Sequence, residues 1–166
     1  MVETMSFHMR RVDKEITNIE KMKGILESAK FVTIAMCMDN SPYLVTLSHG
    51  YDRKRNCIYF HCAKEGKKIE FLKANNKVWG QALNDLGYLS GKCNHLFETV
   101  QFSGTVTFLE TLEAKREAVQ CMIKHLEKSP EQAIARIKDE RLADTMFGRI
   151  DIELMTGKQP ETPKNN

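Results

Sequence analysis

The sequence is short of the features that would decide its function at sight. Its five cysteines, Cys37, Cys57, Cys62, Cys93 and Cys121, are odd in number, scattered and without a C-x-x-C pair. That argues against a disulfide framework and a zinc site, and it suits a reducing cytosol. No apolar run approaches the length of a membrane-spanning helix, and the opening MVETMSFHMRRVDKE lacks the apolar core of a signal peptide. A soluble cytoplasmic protein with no membrane association is therefore expected. The formal charge of +3, with no basic block or arginine-rich arm, is too weak for a nucleic-acid surface but leaves room for an anionic ligand. There is no supported Ser-His-Asp or Cys-His pattern, and Asp85 and Glu98 have no partner carboxylate at a spacing that suggests paired acid–base work. With 166 residues, 42% hydrophobic and 28% charged, and no internal repeat, the chain has the makings of one ordinary globular domain.

What is present concentrates between Tyr59 and Phe71, YFHCAKEGKKIEF. Strand formers stop at a polar segment, Gly66 follows, and a helical pattern opens with Lys67, Lys68, Ile69, Phe71 and Leu72. The first N–H groups of a helix have no partner inside it, and the macrodipole adds positive potential there. A helix start carrying Lys64, Lys67 and Lys68 therefore suits a phosphate, which lysine holds by charge-assisted hydrogen bonds. The plainer account of these lysines is a solvated helix face.

Taken in order, residues 1–16 form an N-terminal arm, 17–156 a single domain and 157–166 a polar, disordered tail. Phe7, Met9 and Val12 give the arm some apolar character. Thr17 with Glu20 matches a capping box for a helix over residues 18–29. Strands follow at Phe31–Met38, Tyr43–Tyr51 and Cys57–Cys62, joined by short turns into an antiparallel meander. A helix from Lys67 to Asn75 precedes a fourth strand, Val78–Leu83, then a loop from Asn84 to Asn94. The long strand Phe97–Leu109 carries Gly104 at a bend or bulge. Thr111 opens a helix to about Lys128, Ser129-Pro130 opens another, and Phe147–Met155 closes the sheet. The pattern is mostly β with peripheral helices, a small barrel or curled sheet.

Five stretches, Met9–Arg11, Pro42–Asp52, Ile58–Leu72, Phe97–Val106 and Arg149–Lys158, appear together in an order and spacing that resembles the FMN-binding split-barrel proteins related to pyridoxamine 5'-phosphate oxidase. Within them the chain is most similar to the nitroimidazole-resistance (Nim) branch. The resemblance implies a six-stranded antiparallel split β-barrel, a homodimer, and FMN in clefts at the subunit interface. It places Lys67 and Lys68 on the FMN phosphate with Lys64 in the same loop, and His61 at the end of the strand leading there. Val45, Thr46, Leu47 and Ser48 would lie along the isoalloxazine edge, and Thr99 falls near a position that in the oxidase branch carries a polar side chain reaching the flavin ring.

Two departures qualify the resemblance. Nim proteins often carry histidine where this chain has Lys67, which weighs against nitroimidazole reduction. The C-terminal substrate-phosphate motif of true pyridoxamine phosphate oxidases is missing, which weighs against that oxidation. The expected activity is flavin-dependent oxidoreduction from a reduced nicotinamide to a small acceptor such as a nitroaromatic or quinone. The rivals are a haem-binding split barrel with His49 or His61 as axial ligand, a non-catalytic flavin-binding module, and a deazaflavin in place of FMN. His8, His95 and His125 read as surface residues, Cys62 as a buried small apolar residue, and Trp79 as core or dimer interface.

Overall fold

The computed structural model describes residues 9–161. Of the expected arm and tail, residues 1–8, Phe7 and His8 among them, and residues 162–166 lie outside the described residues. A 3-10 turn at Val12–Lys14 leads into β1 (Glu15–Ile16), which pairs with Gly157 and Lys158. Residues assigned by sequence to arm and tail thus close against each other in the sheet.

Helix α1 (Ile19–Ser28) buries Met22, Ile25 and Leu26 along one face. Asn18, rather than Thr17, is its cap: the Asn18 side chain accepts from the N–H groups of Glu20 and Lys21 at 2.9 and 3.1 Å. Those are the N2 and N3 donors that only the residue directly before the helix can reach. Strands β2 (Val32–Met38) and β3 (Ser41–Leu47) form a hairpin through Asp39 and Asn40, both at positive φ of 49° and 60°. Two left-handed residues in a row match the strand twist, and Asp and Asn tolerate that conformation.

The expected second strand does not run unbroken to Tyr51. It ends at Leu47, and β4 (Gly50–Asp52) lies at the opposite edge of the sheet, paired with β5 (Cys57–Cys62). The alternation of YLVTLSHGY is continuous, but period-two patterning reports which face a side chain takes and not which neighbour its strand pairs with. The break lets a helix settle on β4, since a Cβ on Gly50 would come within 2.6 Å of the Met122 backbone nitrogen.

After α2 (Lys67–Ala74), β6 (Lys77–Leu89) and β7 (Asn94–Leu109) form one long hairpin. The segment expected as a loop, Asn84 to Asn94, is mostly its outer end, paired as far as Leu89 with Asn94. Gly87 and Gly91, at φ 95° and 77°, interrupt the period there, and the register shifts between Asp85 and Gly87. Helix α3 (Leu112–Leu126) is capped by Thr111, as the sequence predicts. Beyond it stand two short helices in place of one, α4 (Pro130–Ala135) and α5 (Asp139–Asp144). Strand β8 (Met146–Lys158) ends the described sheet.

The strand order is β3-β2-β6-β7-β8-β5-β4, with β1 on β8 and every pair antiparallel. This makes an eight-stranded sheet where six strands were expected; the two ends of the path do not pair, which leaves the barrel split. Its register shifts at Ser103/Gly104, the bend assigned to Gly104, where a Cβ would meet the Asp151 carbonyl at 2.5 Å. Inside lie Ile34, Ile58, Phe60, Val100, Phe102 and Ile150 with the apolar faces of α1 and α2. A second cluster, including Cys57, Tyr59, Phe147, Met122 and Leu142, fills the space between the outer face of β5 and β8 and the helices α3 and α5.

Candidate functional site

Strand β5 sends its side chains to two faces in turn. Ile58 and Phe60 enter the barrel, whereas Cys57 and Tyr59 join the α3/α5 cluster and His61 stands edge-to-face with Phe147, ring centroids 6.2 Å apart. The chain then turns through Ala63–Gly66, with Gly66 at φ 123°, a conformation L residues rarely take. The Gly66 carbonyl accepts from Ile69 and Glu70, so the N–H groups of Lys67 and Lys68 precede the first intrahelical bond, and no side chain caps the helix. That is an exposed set of donors at the positive end of a helix dipole.

The two lysines there are held by aromatic rings. The Lys67 ammonium is 4.4 Å from the Tyr43 ring centroid and 5.5 Å from that of Phe71, and the Lys68 ammonium is 5.7 Å from Phe60. A cation over a ring is positioned without being neutralised, so both charges stay available to an anion. Lys64 behaves differently and pairs with Asp144 of α5 at 3.5 Å. The structure therefore divides the predicted loop: Lys67 and Lys68 turn toward β3 and the barrel end, while His61 and Lys64 turn toward α5.

Of the predicted ring-edge strand, Leu47 is buried and Val45 half-buried against the core, while Thr46 and Ser48 are exposed. The Thr46 hydroxyl shares a 3.0 Å hydrogen bond with that of Thr33. Thr99 is buried, and its hydroxyl donates to the Ala82 carbonyl at 2.8 Å. It also pairs with Lys158 at one end of β8, whereas His61 pairs with Phe147 at the other. One chain does not bring the two together.

The other histidines are redistributed. His49 is wholly buried; its Nε2–H donates to the Leu26 carbonyl at 3.1 Å, and its Nδ1 has no partner. His125, expected at the surface, is half-buried, with its ring 4.3 Å from that of His49 and its Nε2–H on the Ala29 carbonyl at 3.0 Å. Burial, and then repulsion from His125, push His49 down to about 4. The enclosed His49 ring thus has its Nε2–H committed to the backbone, while His125 packs over it. His61 remains exposed. Burial pushes the Cys62 thiol up against the opposing pull of Lys68, so its apolar surroundings outweigh the nearby charge. Trp79 is not core: it is 50% exposed on the outer face of the sheet.

Sequence reasoning missed a cleft of about 710 Å³ between α3, α4, α5 and the ends of β5 and β8, which shares His61 with the predicted site. Its cations, Arg136, Lys138 and Arg141, sit in a segment whose pattern reads as solvated helix, and no local signal marks them. Among the described residues no group of three His, Cys, Asp or Glu side chains is placed to hold a metal, and no helix is long and apolar enough to cross a membrane.

The fold is that of a split-barrel protein whose α2 starts uncapped, with Lys67 and Lys68 beside it. The chain matches the family profile described as pyridoxamine 5'-phosphate oxidase over residues 19–159, and it belongs to that family. No curated protein matches it. Among solved structures it is similar to a candidate 5-nitroimidazole antibiotic resistance protein from Bacteroides thetaiotaomicron, at 24% identity over 87% of this chain and 85% of that one, TM-score 0.75. It is similar also to an FAD and haem binding protein from Mycobacterium smegmatis, at 14% identity over 92% and 76% of the two chains, TM-score 0.77. An FAD-binding protein from Mesorhizobium loti aligns at 23% identity over 86% and 95%, TM-score 0.62. At these identities the likeness establishes the fold.

Proposed function

We propose that the protein binds a flavin, FMN by preference, and works as a dimeric flavin-dependent oxidoreductase between a reduced nicotinamide and a small acceptor such as a nitroaromatic or quinone. The observation that carries this reading is the start of α2: free N–H groups at Lys67 and Lys68, no side-chain cap, and two ammonium groups held nearby by rings. The donor set fits a terminal phosphate. Family membership and neighbours described as FAD-binding support the flavin as its bearer.

A bound flavin would supply the electron chemistry, and the residues of this chain would bind and orient it. Lys67 and Lys68 would hold the phosphate oxygens, and the backbone of Val45–Ser48 would border the ring where a second subunit meets the first. Thr46 and Ser48 offer exposed hydroxyls on that strand. No side chain is assigned an obligatory proton transfer.

The test is a fluorescence titration with FMN of the native protein and of the Lys67→Ala/Lys68→Ala double variant. Losing two charge-assisted contacts is expected to weaken binding at least about tenfold. Equal affinities would remove the phosphate from this helix. Reduction of the bound flavin by a nicotinamide without oxygen separates an enzyme from a flavin-binding module. A Soret band in the purified protein, lost in His61→Ala, would replace the flavin reading with haem ligated by His61, the exposed histidine of the predicted pair.

A further inference from the structure

The cleft beneath α5 has a floor and a rim of different chemistry. Val119, Ile123, Ile137, Leu142 and Phe147 make the floor, continuous with the second hydrophobic cluster. The rim carries Arg136, Lys138 and Arg141 against Glu140 and Asp144. Asp144 is taken by Lys64, and the neighbouring Asp139 is taken by Arg116. Among the described residues, none of Arg136, Lys138 and Arg141 has a carboxylate partner, so Glu140 alone opposes three cations. Behind the wall, Lys115 is buried, and its ammonium donates to the Leu142 and Ala143 carbonyls at 3.1 and 3.4 Å, with no carboxylate on it. Those bonds tie the end of α5 to α3.

A volume of about 710 Å³ holds a ligand of metabolite size, and an apolar floor under a cationic rim selects a flat apolar body bearing one negative group. We propose that this cleft binds an amphipathic organic anion, an aromatic carboxylate being the simplest form, with the ring over Phe147 and Ile123 and the carboxylate toward Arg136 and Arg141. His61, exposed at the mouth beside Phe147, and Thr145 supply further hydrogen-bonding groups. The inference stands apart from the flavin reading, because the lysines assigned to the phosphate lie over Tyr43, Phe71 and Phe60, on the other side of β5 from His61.

The experiment compares 1-naphthoate with the neutral 1-naphthalenemethanol on the full chain, following the His61 and Trp79 ring signals by NMR and extracting Kd. Naphthoate is expected to bind about tenfold more tightly and to move His61 but not Trp79. In Arg136→Gln/Arg141→Gln the preference should vanish, while the alcohol keeps its affinity within about twofold. Glu140→Gln, a milder change, should tighten naphthoate by about two- to fivefold. Equal affinities, no binding at millimolar probe, or shifts at Trp79 in place of His61 would overturn the proposal. So would displacement of naphthoate by FMN, which would make the cleft the cofactor's own; failure of the lysine double variant to affect FMN would leave this proposal untouched.

Discussion

A residue's chemistry here depends on what covers it, and His49 is the clearest case. Its neutral form is enforced by burial, with the proton on Nε2 because a carbonyl can only accept. The unfolded chain takes up a proton near the usual 6.5 that the folded chain refuses until about 4. Protons bound in excess by the unfolded state make stability rise with pH. The contribution is therefore whole above 6.5 and is lost as pH falls through the window, on the order of 2 kcal/mol by about pH 5. Urea midpoints at pH 7 and pH 5 should fall clearly in the native protein and by less in His49→Met. Identical pH dependence in the two would assign the acid sensitivity elsewhere. Thr99 is likewise covered, its hydroxyl donating to the Ala82 carbonyl.

Among elements, two cross-strand pairs of the barrel set phenylalanine opposite glycine. Gly80 pairs with Phe102, and Gly148 pairs with Phe60. Both rings are fully buried and lie over the partner glycine, so an added Cβ would come within 2.2 Å of the Phe102 ring and 2.3 Å of the Phe60 ring. Each glycine is thus the floor that lets a large ring turn into a tightly curled sheet. Gly80→Val is expected to cost about 1–3 kcal/mol through overpacking, read as a lower urea midpoint with an unchanged slope. An unaffected midpoint would mean that Phe102 has a second place to go. The element ends were legible where chemistry is local, as at Thr111 and at the turn Asp39–Asn40. They were misread where neighbours decide, as at Leu47, where the chain leaves one edge of the sheet for the other.

For the whole molecule, the unfinished feature is the outer face of the open sheet. Leu44, Trp79, Leu83 and Leu154 are 63%, 50%, 44% and 52% exposed, and the strand register places them on one side. Exposed apolar side chains interspersed with Thr33, Gln81 and Gln101 on one face suit the subunit contact of the proposed homodimer. Leu44→Asp should raise the dimer dissociation constant at least about tenfold in sedimentation equilibrium, and FMN affinity should fall with it if the cofactor spans the interface. A dimer that survives the substitution would place the contact on another face. Tight flavin binding by a monomer would confine the site to one chain.

The family, the antiparallel β character, the helix start at Gly66 and the lysines it carries were legible in the order of residues alone. Those properties rest on periodicity, turn residues and chain order, which act between near neighbours. Only the packing of distant elements set His61 and Lys67 facing opposite ways, sealed His49 beneath His125, and placed three cations of α5 and the segment before it around an apolar cleft. These outcomes depend on which strand pairs with which and how helices far apart in sequence pack on them, and no local pattern encodes that choice.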